Sequence, residues 1–175
     1  ITRMISFHNR VKEAQDFSND FQDILELINE KDRPKGVVWT DYISGQMTTK
    51  DRKVKLRQLK ELSFYDRGII SNARCLSEGV DVPTLDGVAF VEPKESKIDI
   101  IQSIGRALRK SEDKNLGSII LPVYIRPKDN VEETISNSNF KPVWDVLNAL
   151  RSHDNRLSDD LDNLRIKLGQ KNKTF

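Results

Sequence analysis

Five short runs of apolar, mostly β-branched residues, most of them separated by stretches with helical periodicity, constrain this chain more than any other feature. They are Arg3-Met4-Ile5-Ser6-Phe7, Val37 to Ile43, Gly68 to Asn72, Gly87 to Val91 and Gly117 to Ile125. Short continuous runs of this kind suit strands buried on both faces, and helices between them supply the cover. The pattern predicts an α/β domain with a parallel sheet sandwiched by helices. Pro122 places the last strand at an edge or at a bend, because proline cannot donate to a ladder.

Between the runs, Val11, Ala14, Phe17, Phe21, Ile24, Leu25 and Ile28 recur at helical spacing, so a helix is expected from about Arg10 to Glu30, broken by Pro34 and Gly36. A second helix follows Thr48-Thr49, either of which can cap it, and buries Leu56, Leu59 and Leu62. A third is expected from about Lys97 to Lys110. After Pro127 the pattern changes: residues 128–138 read as a polar loop, followed by two helices marked by Val143, Val146, Leu147 and Leu150, then by Leu157, Leu161, Leu164 and Leu168. The expected division is a lobe at 1–127 and a loop with a C-terminal helical extension at 128–175. The chain begins almost inside its first strand, as expected of a piece cut from a longer protein.

Composition excludes several function classes. One cysteine, Cys75, allows no internal disulfide and no cysteine-based zinc site, and two histidines far apart, His8 and His153, make no metal cluster. No metal site is therefore expected in the chain itself. No apolar stretch is long enough to cross a membrane and no secretion signal opens the chain, so no membrane partner and a cytoplasmic location are expected. With 29 basic and 27 acidic residues the net charge is +2, which argues globally against a strongly basic nucleic-acid module but not against a local patch. One such patch exists: residues 50–60 hold six cations and one acid, a solvated helix face or a phosphate-facing one.

Neither a GxxxxGK[ST] loop nor a GxGxxG turn is present, so the chain holds no complete nucleotide cradle of its own. Two segments are candidates to carry chemistry, the bland alternatives being a connector whose Gly and Pro only shape the turn and a solvated arginine face. The first, Ser71 to Pro83, directly follows a buried strand, and ligands bind in open parallel sheets beyond the strands' carboxyl ends. Gly79 permits close backbone approach, and Asp81 can accept a hydrogen bond from a hydroxyl. The second is Gln102-Ser103-Ile104-Gly105-Arg106-Ala107-Leu108-Arg109-Lys110. On a helix, Gln102, Arg106 and Arg109 share one stripe, with Ile101, Ile104 and Leu108 toward the core. Two forked guanidiniums on one stripe suit a shared anion such as a triphosphate. Gly105 costs its helix about 1 kcal/mol relative to alanine, which something should offset, such as close approach of a backbone or ligand.

In this order and spacing, Ser77-Glu78-Gly79-Val80-Asp81-Val82-Pro83 and the Gln102–Arg109 segment resemble motifs V and VI of superfamily 2 helicases. The opening strand with Phe7-His8-Asn9-Arg10 resembles motif IV. Tyr42-Ile43-Ser44-Gly45-Gln46-Met47, followed by Arg52 and Leu56, is similar to the segment before the basic helix, with Ser44 where the family usually has histidine. The resemblance covers about residues 1–125. It implies a RecA-like second motor lobe whose partner lobe, the N-terminal RecA-like one with the phosphate loop and the Asp-Glu metal motif, lies outside this chain. ATP and Mg²⁺ would bind between the lobes, the metal mainly through the partner. By matching motif positions, the resemblance implies arginine fingers at Arg106 and Arg109, and Gln102 at the γ-phosphate or attacking water. It implies Gly79 and Asp81 on the ribose and phosphate side, and His8, Asn9, Arg10, Gly45, Arg52, Asn72 and Arg74 near the nucleic-acid backbone. The threonine common in motif V is Ala73 here, which leaves Ser71 or Asn72 as its substitutes.

A narrower resemblance, carried by Asn72 to Pro83, Ile119 to Val123 and Val143 to Asp154, is to bacterial restriction-modification helicases of the single-chain type ISP kind. It implies movement on double-stranded DNA, possible nuclease or methyltransferase domains on the same chain, and little activity from this piece alone. The alternative is a non-catalytic nucleic-acid or protein-binding module on the same scaffold.

Overall fold

The computed structural model describes residues 1–73, 85–107 and 117–151. The chain forms two compact units, Ile1–Glu92 with Ile101–Leu121, and Pro93–Ile100 with Pro122–Phe175. The first is built on a five-stranded, all-parallel sheet: β1 (Arg3–His8), β2 (Val38–Ser44), β3 (Arg67–Ala73), β4 (Gly87–Phe90) and β5 (Ser118–Ile120), in the order β2-β3-β1-β4-β5. The helices are α1 (Val11–Leu27), α2 (Thr49–Lys60), α3 (Lys97–Ala107), α4 (Val131–Ser136) and α5 (Lys141–Arg151).

The expected α/β sandwich is present, and the handedness of parallel crossovers explains how it is layered. The β1-to-β2 connection runs one way along the sheet and β2-to-β3 the other, so right-handed crossovers place α1 and α2 on opposite faces. Side chains agree. Thr40 Oγ1 donates to Ser18 O on α1 at 2.9 Å, and the His8 ring lies 5.0 Å from that of Phe17. On the other face Arg3 donates to Leu59 O at 3.1 Å and to Leu62 O at 2.8 Å, at the end of α2. Gly68 sits under α2, where a Cβ would strike the ends of Leu59 and Leu62. Ile5, Ile43, Ile70 and Phe90 are buried in the sheet, with Phe7 stacked on Phe90 at 5.6 Å. Each such side chain contributes about 1.5–3 kcal/mol of transfer free energy.

The outer edge of β2 is blocked rather than left bare. Gln22 Nε2 donates to Val38 O at 2.6 Å, Lys55 Nζ to Tyr42 O at 3.2 Å, and the Tyr42 N–H to Asp41 Oδ1 at 2.7 Å. Backbone groups engaged this way cannot template another strand. At the amino end of the sheet Asp86 ties β1 to β4: its carboxylate accepts from the N–H of Thr2 at 2.7 Å, Thr2 Oγ1 at 2.8 Å and the N–H of Arg3 at 2.8 Å. Asp86→Ala leaves two half-buried amides without acceptors. It is expected to lower the unfolding free energy by about 2 kcal/mol, read as a lower denaturant midpoint at constant slope.

Three expectations are corrected. Helix α1 ends at Leu27, not near Glu30, and a short 3₁₀ turn, Glu30–Asp32, follows. Strand β5 stops at Ile120, short of Pro122, whose missing N–H could not continue the ladder. The presumed loop at 128–138 contains α4, started by Asn130, whose side chain accepts from the N–H groups of Glu132 and Glu133. In the second unit, Ile135 on α4, Phe140 between the helices, and Val143, Trp144, Val146 and Leu147 on α5 are buried. The second tail helix lies outside the described residues. Among the described residues no helix is long and apolar enough to cross a membrane.

Candidate nucleic-acid and nucleotide interface

Strands β1 and β4 are neighbours whose outgoing connections diverge, β1 toward β2 and β4 toward β5. In an open parallel sheet that divergence opens a crevice beyond the carboxyl ends. It lies beyond His8 and Phe90, and its two walls are pinned together: the Asn9 N–H donates to Glu92 Oε2 at 2.6 Å. Asn9 and Arg10 are exposed there. The Arg10 side chain is 78% exposed and makes only a 3.5 Å pair with Glu13, too weak to hold a guanidinium against a phosphate.

Glu13 and Glu92 are functional candidates that the sequence reading missed. Glu13 Oε2 is buried with no donor in reach. Its carboxyl is held above the usual range, first by a hydrogen bond with Glu92, then by desolvation and the Glu92 charge, against Arg10. The two glutamates lie far apart in sequence, and only the parallel pairing of β1 with β4 brings them together. Lys94, in the second unit, also escaped notice. Burial lowers its pKa, opposed by the charge of Asp99.

His8, expected near the nucleic-acid backbone, is buried at 4% exposure. Strand alternation turns it onto the α1 face, where its Nε2 lies 3.1 Å from Ser6 Oγ, which in turn donates to Ser71 Oγ at 3.1 Å. Burial lowers the imidazole pKa, partly offset by Glu13. The unfolded chain, with the ordinary value of 6.5, therefore binds the proton more readily. Stability contributed by neutral His8 is full above that pH and is lost as pH falls through the lower folded value. His8→Gln, which keeps a hydrogen-bonding side chain but cannot titrate, is expected to flatten the acid side of a stability-against-pH curve. An unchanged curve would contradict this.

Asn72, 2% exposed, is likewise buried, as is Ser71, so neither presents the expected polar group at the surface of this lobe. Gly45 and Gln46 are exposed in the turn leaving β2, closed by the Met47 N–H to Ser44 O bond of 3.2 Å. Arg52 is half-buried on the first turns of α2, with Nη2 3.4 Å from Thr49 Oγ1. Asn9, Arg10, Gly45 and Arg52 thus share the carboxyl end of the sheet. Helix α2 starts there with Thr48 as its cap: the hydroxyl accepts from the Asp51 N–H at 3.1 Å and donates to Asp51 Oδ2 at 2.7 Å.

On α3, Gln102 is exposed and the backbone is helical through Arg106. Ile100, Ser103 and Ile104 are buried while Ile101 is 50% exposed, so the core stripe is rotated by one residue from the expected Ile101–Ile104 line. Among the described residues nothing stands within 4 Å of where a Gly105 Cβ would project. Arg74, Gly79, Asp81 and Arg109, with the side chain of Arg106, lie outside the described residues. Among the described residues no group of three His, Cys, Asp or Glu side chains is placed to hold a metal ion. For a nucleotide, the described part offers an exposed amide at Gln102 and a bare helix backbone at Gly105.

Comparison with known proteins places this arrangement in context. The model of the helicase conserved C-terminal domain family matches residues 1–111. The chain is 35% identical over 117 residues to the "Probable helicase" of African swine fever virus, covering 66% of this chain and 13% of that protein. It is 31% identical over 117 residues to the ATP-dependent DNA helicase uvsW of Enterobacteria phage T4, covering 64% and 21%. Among solved structures, the ATP-dependent type ISP restriction-modification enzyme LlaBIII bound to DNA is 36% identical, with a TM-score of 0.73, covering 94% of this chain and 11% of the enzyme. The C-terminal domain of yeast Dbp5, at 15% identity and a TM-score of 0.51, shares the fold alone. The chain spans about an eighth of the length of the viral relative.

Proposed function

Because the chain belongs to the helicase conserved C-terminal domain family, we propose that it is the second motor lobe of an ATP-dependent DNA translocase or helicase. In this reading the lobe completes an ATP site shared with an N-terminal RecA-like lobe of the same full-length protein and grips the DNA backbone. The observation that carries the reading is the 36% identity over nearly the whole chain to an ATP-dependent, DNA-bound enzyme. That likeness also favours double-stranded DNA as the track, with nuclease or methyltransferase domains as possible neighbours on the chain.

Asn9, Arg10, Gly45, Arg52 and Arg74 contact the backbone, positioning the lobe without reading bases. The buried His8 and Asn72 act one step removed, by fixing the strand ends that carry those groups. Gly79 and Asp81 line the ribose and phosphate side of the cleft. Mg²⁺, whose ligands belong to the partner lobe, neutralises charge on the phosphates when bound. Water attacks the γ-phosphorus as the bond to the ADP oxygen breaks. Gln102 orients that water or the γ-phosphate, and Arg106 and Arg109 take up charge on the transferred phosphoryl oxygens. Closure of the lobes on ATP and opening afterwards moves the grip along the DNA.

The test is ATP turnover by the full-length protein with and without duplex DNA. Stimulation by duplex supports the reading. Duplex binding without any hydrolysis would sink it in favour of a non-catalytic binding module. The isolated lobe, lacking the phosphate loop, is expected to turn over little ATP.

A further inference from the structure

Helix α2 carries four exposed cations on one line. Lys50, Lys53, Arg57 and Lys60 recur at i, i+3, i+7 and i+10, on an exposed flank next to the stripe of buried Leu56 and Leu59. Among the described residues none of the four makes an ion pair, whereas Lys12, Lys55 and Lys141 pair with Asp16, Asp41 and Asp145. The one acid within the helix, Asp51, is engaged by the Thr48 cap. Helix stability accounts for part of the row only. Arg57 and Lys60 sit in the last turn, where the dipole favours cations, but Lys50 sits in the first turn, where it disfavours one, and the three successive neighbours repel one another. A surface shaped for solubility alone mixes its signs.

The row is continuous with the carboxyl end of the sheet. It begins at Lys50, just past the Gly45 turn, and runs about 15 Å down the flank of the lobe at 1.5 Å per residue. Along one strand of B-DNA charges recur about every 3.4 Å of axis, so the row matches about four base pairs of duplex. A protein partner would need a large aromatic or apolar anchor at a charge-poor centre of its contact, whereas α2 has no aromatic residue and one exposed apolar side chain, Val54, set among cations.

We propose that this row is a phosphate track for duplex DNA lying outside the ATP cleft, which sets how firmly the motor holds DNA and not how fast it turns over. The proposal rests on the DNA reading above and adds to it a surface and a role.

The experiment compares the full-length protein with a variant carrying Lys53→Gln, Arg57→Gln and Lys60→Gln, measuring duplex affinity across a salt series. Glutamine keeps the helix, and the relieved repulsion offsets the lost dipole contacts of Arg57 and Lys60, so the melting temperature changes little. Each lost phosphate contact removes about 0.9 from the slope of log affinity against log salt, so the triple variant is expected to be shallower by about 2.7 and Lys53→Gln alone by about 0.9. The turnover rate at saturating DNA stays at the parental value while half-saturation needs about tenfold more DNA, a rise expected from fewer counterion-releasing contacts. Lys12→Gln, on α1, leaves the slope unchanged. An unchanged slope in the triple variant, with parental binding intact, overturns the track alone, as does loss of polyglutamate binding without a change in slope, which would mark an acidic protein partner. A parental protein without duplex affinity overturns the DNA reading and the track together.

Discussion

Arg106→Ala and Arg109→Ala in the full-length protein are each expected to lower DNA-stimulated ATP turnover by about 10³–10⁵-fold, the range that a charge-stabilising arginine supplies in phosphoryl transfer. The stabilisation is differential. The substrate's γ-phosphate is already charged, and the additional charge on its oxygens develops as the bond to ADP breaks. A guanidinium aimed at that position therefore lowers the barrier more than it strengthens ATP binding. The loss should appear in kcat, with the KM for ATP and the affinity for DNA changed far less. Lysine at either position is expected to restore little, because a single ammonium cannot reproduce the planar fork. In the proposed role both side chains serve the shared ATP site, so both variants are expected to melt like the parent. If both hydrolyse ATP at the parental rate, these residues are an ordinary solvated helix face.

The order of elements was open to reading because each parallel strand is a short apolar run and the helices carry apolar stripes, although of the α1 stripe only Ala14 is buried while Ile24 and Ile28 stay exposed. Ile5, Ile43, Ile70 and Leu59 are all where the periodicity puts them. Thr48 was readable as a cap because its hydroxyl meets an amide three residues on, a purely local matter. The same signal stood at Asn130, followed by Glu132 and Glu133, but so short a helix shows too little apolar periodicity to stand out from a polar loop. What the chain order hides is depth. His8 and Asn72 sit at the ends of strands in motif-like positions, and only the packing of α1 and α2 against the sheet decides that both side chains are buried. Long-range pairs are hidden for the same reason. Nothing near Glu13 in sequence announces Glu92, and the two meet only because β1 and β4 lie side by side.

Gly105→Ala is expected to move stability and activity in opposite directions. Within α3, alanine is favoured over glycine by about 1 kcal/mol, and among the described residues a Cβ at this position meets nothing within 4 Å. The lobe should therefore melt about 2–4 °C higher, the shift expected for a domain of this size. A helix that forgoes that gain keeps its backbone bare for something beyond the lobe. In the proposed cleft Gly105 lies between Gln102 and Arg106, so the approaching surface is the nucleotide or the partner lobe. An added methyl there holds the closing lobes apart by about 1 Å, and a displacement of that size at reacting groups costs about 10²-fold in rate. The decisive readout is the pair of signs. A glycine that mattered only to its own helix would give a more stable protein with parental turnover, and that result would remove Gly105 from the cleft. A more stable lobe in a slower motor would place an approaching surface where the isolated helix shows open space.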